Sequence, residues 1–141
     1  MRELAATRAF ITSTAASALA VIGLLAVFIH ELVTGGPIVV IDGDTVDRGV
    51  VRYRLVGFDA PEIRQAQCPE ERALGLAAAR RLRELVASGK AQLVSDRRQR
   101  DKYGRGLARL VIDGQDAGEL LISVGSARPY DGRSRRQGWC D

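Results

Sequence analysis

The chain has 141 residues, enough for one domain with a short appendage and too few for several domains of ordinary size. Its formal net charge is +4, and nearly all of the basic residues are arginines, since only Lys90 and Lys102 are lysines. A basic, arginine-rich chain suits a polyanionic partner, although an ordinary solvated surface gives the same composition. With one histidine and two cysteines, the composition excludes a convincing zinc cage.

The N-terminal segment contains an uncharged run, Ala9–Ile29, close to the ~20 residues that a helix needs to cross a bilayer. Arginines precede the run, so the positive-inside rule keeps the N-terminus in the cytoplasm and exports the rest. We predict an uncleaved transmembrane anchor in residues 1–35 and a domain in residues 36–141 on the periplasmic side of the inner membrane. A signal peptide cleaved near Val33–Gly35, which would release a secreted protein, is the alternative.

The first half of the domain has the pattern of short strands and turns. Ile38–Ile41 is predicted as a strand, and the pair Thr45–Val46 and Val50–Leu55 as a hairpin around the turn signal Asp47–Gly49. In Asp59–Glu62 the proline biases its predecessor toward extended backbone, which predicts a turn that aims both carboxylates in one direction.

The second half begins with an amphipathic pattern over Pro69–Ser88, which predicts a helix packed on the strands through a central glycine. Ala91–Ser95 and Gly106–Ile112 follow as strands, and a short helix begins with a capping box at Asp116. We therefore predict a mainly β fold with helices (α+β). It would be a five-stranded barrel of the oligonucleotide/oligosaccharide-binding (OB) type, with one helix between strands 3 and 4 and another after strand 5.

Acidic residues and arginines alternate along this domain: Asp44, Arg54, Asp59, Glu62 and Arg105. Three carboxylates can hold one hard divalent cation and leave an oxygen free to act as a base. Two arginines can bind phosphate oxygens through planar, forked donors. An isolated Asp-Gly-Asp is more often an ordinary turn, and the downstream acids make the metal site the better interpretation.

Three strings carry a family resemblance: VIDGDTV at Val40–Val46, YRLVGFDAPE at Tyr53–Glu62 and DKYGRGLA at Asp101–Ala108. In this order, with a helix before the last, they resemble the staphylococcal-nuclease-like (thermonuclease) family over roughly Pro37–Tyr130. The resemblance implies a calcium-dependent endonuclease that hydrolyses phosphodiester bonds of DNA and RNA outside the cytoplasm and leaves 3′-phosphate ends.

The same resemblance implies a role for individual residues around the metal. Asp44 and Asp59 match the calcium-binding aspartates, and Ala60 matches a position that offers only its backbone carbonyl. Asp42 is expected beside these ligands rather than on the ion. Oxygen donors without a nearby histidine or cysteine favour calcium over zinc.

Glu62 matches the proposed general base, which deprotonates or orients the attacking water, and Arg54 and Arg105 match the phosphate-binding arginines. Three further residues are expected to contact substrate: Lys102, Tyr103 and Tyr130. Other arginines either follow a nucleic-acid backbone or belong to solvated loops: Arg97, Arg98, Arg100, Arg133, Arg135 and Arg136.

The chain departs from the family after Tyr130. The prototype continues into a long helix, whereas here only the C-terminal tail, Asp131–Asp141, follows, and it carries no matched catalytic residue. In an oxidising compartment Cys68 and Cys140 are predicted to form a disulfide that, with Trp139, replaces the packing of that helix. Two free buried thiols or a metal site are the alternatives.

Two rival functions remain compatible with the sequence. One is a catalytically silent, membrane-anchored module that binds nucleic acid or protein through an OB fold, because fold does not fix function. The other is an interaction module whose acidic cluster binds calcium structurally.

Overall fold

The computed structural model describes residues 17–29 and 35–140, apart from the side chains of residues 96–98. The chain separates into two compact units, Met1–Gly36 and Pro37–Asp141. In the first unit, residues 17–29 form a helix, α1, with exposed side chains. Within the described residues no helix combines the length and the apolar character that crossing a bilayer requires. Residues 9–16 of the predicted span lie outside the described part, and the prediction of a transmembrane helix gains no support.

The second unit is an α+β domain built from short strands and two helices. Its described elements are, in chain order, β1 Ile38–Asp42, β2 Thr45–Arg48, β3 Val51–Leu55, β4 Gly57–Asp59, α2 Pro69–Ser88, β5 Ala91–Arg100, β6 Gly106–Ile112, β7 Gln115–Asp116, α3 Ala117–Ser123 and β8 Arg128–Tyr130.

The main sheet is mixed and open. Its strands lie in the order β1-β2-β3-β6-β5, with β7 beside β6. All neighbours are antiparallel except β3 and β6, which are parallel. The predicted closed barrel is therefore wrong: β1 and β5 remain as edges in the described part. Strand β4 instead leaves the sheet after a left-handed Gly57 (φ 97°) and pairs with β8 in a separate ribbon.

The elements themselves largely follow the sequence pattern. Helix α2 has the predicted bounds and lies between the third and fourth strands of the main sheet when these are counted along the chain. The β2–β3 turn is Gly49–Val50 rather than the predicted Asp47–Gly49, because Asp47 and Arg48 belong to β2 and Asp47 pairs across the hairpin with Arg52. Gly49 (φ 58°) supplies the left-handed backbone that this tight turn needs.

The core lies between the main sheet, α2 and α3. Its largest fully buried side chains belong to both sheet and helices: Val46, Leu55, Leu82, Leu110 and Leu121. Each buried leucine contributes roughly 1.5–3 kcal/mol by leaving water. The turn between β1 and β2 lies directly on α2, because a Cβ added to Gly43 would lie 2.6 Å from the Cβ of Ala60 and 3.0 Å from that of Ala78. This close approach fixes the Asp42–Asp44 turn on the helix.

A disulfide joins Cys68 to Cys140, as predicted, with Cα atoms 6.0 Å apart. Cys68 is the N-cap of α2, so the bridge ties the C-terminal tail to the start of that helix. The two cysteines are 72 residues apart, and closing such a loop lowers the entropy of the unfolded chain by the equivalent of about 4 kcal/mol in the chain-entropy model.

We predict that reduction of this disulfide lowers the melting temperature by more than about 10 °C, since about 4 kcal/mol is a large share of the ~5–15 kcal/mol that stabilises a small domain. Thermal melts followed by circular dichroism, with and without a phosphine reductant, measure the difference. The double variant Cys68→Ser/Cys140→Ser is the control and should melt equally low in both buffers. Two reactive thiols in unreduced, denatured protein would contradict the bridge.

Candidate active site

Arg54, on β3, lies at the centre of the candidate site and is only 6% exposed. Its Nη1 pairs with the carboxylate of Asp44 and donates to the Asp44 carbonyl at 3.3 Å. Its Nη2 lies 3.1 Å from Asp59 Oδ1 and donates to the Phe58 carbonyl at 3.3 Å. One guanidinium thus joins the start of β2 to the end of β4 through two buried carboxylates.

The Asp44 carboxylate is held by further donors. Thr45 Oγ1 donates to its Oδ1 at 3.1 Å, and the backbone N–H of Ala60 donates to its Oδ2 at 3.3 Å. Asp42 Oδ1 accepts from the backbone N–H of Asp44 at 3.2 Å, so Asp42 shapes the turn, as expected of a residue beside the ligands. Burial raises the pKa of Asp44 even though the neighbouring Arg54 charge opposes the rise.

Glu62 lies in the turn after β4, and residues of the first turns of α2 pack against this turn. The buried Glu71 accepts from the backbone N–H of Glu62 at 3.3 Å and from that of Gln67 at 2.6 Å. Gly75 lies one helical turn further on, where an added Cβ would be 2.8 Å from both the Pro61 and the Glu62 carbonyl oxygens. Burial, and then the charge of nearby Asp42, raise the pKa of Glu62.

Glu71 is a positioning residue that sequence reasoning missed. It is the third residue of α2, where a capping-box glutamate normally folds back onto backbone N–H groups before the helix. That position was the available signal. The hydrogen bond from the Glu62 backbone to Glu71 depends on how the preceding loop folds, so the local sequence pattern does not predict it.

Arg105 reaches the site from the start of β6. Its Nε donates to Asp101 Oδ2 at 2.7 Å, and its backbone N–H donates to Asp101 Oδ1 at 2.9 Å. Its Nη1 lies 3.5 Å from Thr45 Oγ1, the hydroxyl that donates to Asp44. The second predicted arginine is therefore connected to the carboxylates through one hydroxyl.

The residues expected to contact substrate occupy two separate places. Tyr103 is 71% exposed, with the Lys102 Nζ 5.0 Å from its ring centre. It borders an open groove of about 470 Å³ whose basic lining residues are Arg52, Arg100 and Arg105. Tyr130 is half-buried on β8, and the Arg136 guanidinium lies 5.5 Å from its ring centre.

The C-terminal tail also reaches the site, which sequence reasoning did not anticipate. Arg136 lies 3.3 Å from Asp59 and 3.4 Å from Glu62, and the indole N–H of Trp139 lies 3.5 Å from Asp59 Oδ2. The available signal was the predicted disulfide, because Cys68 follows Glu62 by only six residues in the sequence.

The oxygen-only donor set fits a hard cation. Asp44 and Asp59 are buried and converge on one guanidinium, and Asp42 and Glu62 add acidic groups nearby. In the described part of the chain, the one trio of acidic or sulfur ligand atoms within 4.8 Å of one another is Cys68, Glu71 and Cys140. Its two sulfurs are bonded to each other, so it offers no thiolate to a metal.

Together, the mixed sheet, the packed helix and the arginine shared by two aspartates define an OB-like α+β domain with a buried cluster of one arginine and two carboxylates. A family model described as staphylococcal nuclease homologue matches residues 52–138. The chain therefore belongs to the staphylococcal nuclease family.

Curated relatives agree with this assignment. Endonuclease YncB of Bacillus subtilis (strain 168) is 43% identical over 96 residues, which cover 62% of this chain and 44% of YncB. The SPbeta prophage-derived endonuclease YokF of the same strain is 41% identical over 96 residues, covering 62% of this chain and 31% of YokF. The thermonuclease of Staphylococcus intermedius is 34% identical over 93 residues, covering 63% and 55%. The chain thus spans about half or less of these relatives' lengths.

Gly75→Ala should destabilise the domain, by about 1–3 kcal/mol, because the new Cβ meets two backbone carbonyls that cannot move independently of the Glu62 turn. Ala73→Gly, at an exposed position of the same helix, is the matched control for intrinsic helix propensity. If propensity alone mattered, Gly75→Ala would stabilise by about the amount that Ala73→Gly destabilises. Urea denaturation separates the two results.

Arg54→Lys should lower the free energy of unfolding by roughly 2 kcal/mol or more in calcium-free buffer, because one ammonium cannot reach both buried aspartates. Arg52→Lys is the matched control: Arg52 lies two residues away on β3 and pairs with Asp47 at the surface. Its replacement should change stability by less than about 1 kcal/mol. Equal losses of stability in the two variants, measured by urea denaturation, would contradict a special contribution of the buried Arg54 guanidinium.

Proposed function

We propose that this protein is a calcium-dependent endonuclease that hydrolyses phosphodiester bonds of DNA and RNA and leaves 3′-phosphate ends. The observation that carries the proposal is the buried Arg54 guanidinium shared by two buried aspartates, with Glu62 in the following turn. The relatives named as endonucleases support the reaction class.

Asp44 and Asp59 would hold the calcium ion, helped by the backbone carbonyl of Ala60. Carboxylate and carbonyl oxygens are the donors that calcium prefers. When bound, the ion supplies positive charge to a phosphate oxygen and to the attacking water. Excess acidic charge around a buried pair of aspartates provides the electrostatic reason for a cation here.

Glu62 is the group proposed to take or orient the proton of the attacking water. Its side chain is about one-third exposed, so water reaches it, and its raised pKa brings it closer to the operating pH of a general base. The water oxygen forms a bond to phosphorus while the bond from phosphorus to the 5′ oxygen breaks. The departing 5′ oxygen takes up a proton and becomes a hydroxyl, and the phosphate stays on the 3′ end.

Arg54 and Arg105 are proposed to bind the phosphate. Both guanidinium groups are held before any substrate arrives, Arg54 by carboxylates and carbonyls and Arg105 by the Asp101 carboxylate and the Thr45 hydroxyl, so little rotamer freedom is lost on binding. Donors fixed in advance act most strongly on charge that develops during the reaction. The groove beside Tyr103 leads to Arg105 and suits a single strand, with Lys102 on the backbone and Tyr103 as a stacking surface.

We further propose that the domain acts outside the cytoplasm, exported by the N-terminal segment and either held at the membrane or released after cleavage. The uncharged run in the sequence supports export. The Cys68–Cys140 disulfide supports an oxidising compartment. A silent binding module remains the alternative and would keep nucleic-acid affinity without turnover.

The purified full-length protein should release acid-soluble nucleotides from denatured DNA and from RNA in calcium, and should stop in excess chelator. Glu62→Gln should lower the rate by about 10²–10⁴-fold, the usual size of general acid–base catalysis. Glu84→Gln, an exposed carboxylate of α2 paired with Arg81, is the control and should keep the wild-type rate.

Product ends give a second readout. Polynucleotide kinase should label the 5′ ends directly, without phosphatase treatment, because these ends carry hydroxyl groups. Undiminished hydrolysis in excess chelator would contradict the proposed calcium dependence. Binding without hydrolysis in any metal would instead favour the silent module.

A further inference from the structure

The C-terminal tail places a third guanidinium at the site, beyond the two that the sequence motifs contain. Arg136 Nε lies 3.3 Å from Asp59 Oδ1, and its Nη1 donates to Glu62 Oε1 at 3.4 Å. In the described part of the chain, Arg136 is the one hydrogen-bonding partner of the Glu62 carboxylate. The Arg136 guanidinium therefore contacts both Asp59, a proposed metal ligand, and Glu62, the proposed base.

Several contacts hold the tail in this position. The Cys68–Cys140 disulfide fixes its end, and the Trp139 ring stacks on the Arg128 guanidinium at 3.8 Å. Arg128 Nη1 also donates to the Gly138 carbonyl at 2.9 Å. At the start of the tail, Asp131 accepts three hydrogen bonds of 2.8–2.9 Å from Arg133 and Ser134.

We propose that Arg136 is a positioning residue of the nuclease site, delivered by the disulfide-tethered tail, and that it sets the orientation of Glu62 relative to Asp59. This inference rests on the proposed function. Glu71 fixes Glu62 only through its backbone N–H, so without Arg136 the Glu62 carboxylate would have no hydrogen-bonding partner among the described residues. A base must lie within hydrogen-bonding reach of the water it activates, and small errors of placement are costly.

The rival interpretation of the same contacts is that Arg136 and Trp139 block the carboxylates. It makes the opposite kinetic prediction, since removal of Arg136 would then raise the rate. The geometry favours positioning: the tail leaves the Glu62 side chain about one-third exposed, so water still reaches the carboxylate that Arg136 contacts.

The test compares Arg136→Gln with Arg135→Gln in the full-length protein at saturating calcium. Both changes remove one positive charge from the tail, and Arg135 is exposed with no side-chain partner in the described residues. Arg136→Gln should lower kcat by about 10- to 100-fold and leave KM within about threefold. Arg135→Gln should leave kcat unchanged, and Arg136→Lys should recover part of the loss.

The role of the tether is tested by combining variants. Cys68→Ser/Cys140→Ser retains a side-chain oxygen at the N-cap of α2, and should lower kcat to a similar extent as Arg136→Gln. The combined triple variant should be little worse than either, because both changes remove the same interaction. Assays run well below the melting temperature of every variant, as checked by circular dichroism.

Trp139 gives a readout that does not depend on turnover, since it is the chain's one tryptophan. Loss of the disulfide should increase quenching of its fluorescence by acrylamide, whereas Arg136→Gln should leave the quenching unchanged.

Wild-type or higher kcat in Arg136→Gln would overturn the inference, as would an equal loss in Arg135→Gln. If the loss of kcat in the triple variant equals the product of the two separate losses, the disulfide does not act through Arg136. A wild-type protein that hydrolyses nothing would refute the proposed function and this inference with it. Hydrolysis by the wild type with an unaffected Arg136→Gln would refute the inference alone.

Discussion

The structure depends above all on one buried arginine. A guanidinium removed from water is tolerated only when its hydrogen bonds and its charge are satisfied by neighbours. Arg54 achieves this with two carboxylates and two backbone carbonyls, which belong to the β1–β2 turn and to the end of β4. The same contacts therefore hold β2, β3 and β4 together and bring two buried carboxylates side by side. Removing the arginine would leave the buried Asp44 without its ion-pair partner and Asp59 with Arg136 alone, so fold and site share one interaction.

The start of α2 is the second organising point. Within its first two turns the helix provides Cys68, which bonds the tail, Glu71, which holds the Glu62 backbone, and Gly75, which lets the same turn approach closely. A helix is stiff over this length, so the three contacts keep fixed distances from one another. Both the helix and the tail therefore contact Glu62: the helix contacts its backbone, and Arg136 of the tail contacts its carboxylate.

The sequence was sufficient for features with a local cause. Helix α2 and the hairpin strands follow hydrophobic periodicity, and the acidic and arginine positions stand in recognisable strings. Sheet closure could not be predicted, because it depends on pairing between strands far apart in the sequence, and the local pattern does not show that β4 pairs with β8. Glu71 and Arg136 were missed for the same reason: each acts on Glu62 through a chain path that only the folded domain defines.

The tail shows how a segment without a helix can be held on a small domain. A terminal helix would hold itself by its own hydrogen bonds and by an apolar face, whereas the described residues of this tail form no helix and pack one tryptophan. Its order must come from cross-links: a disulfide, an arginine–tryptophan stack and ion pairs to Asp59 and Glu62. Because those ion pairs end on the site carboxylates, the interactions that order the tail also act on the site. The disulfide and these contacts therefore connect the order of the tail with the geometry around Glu62.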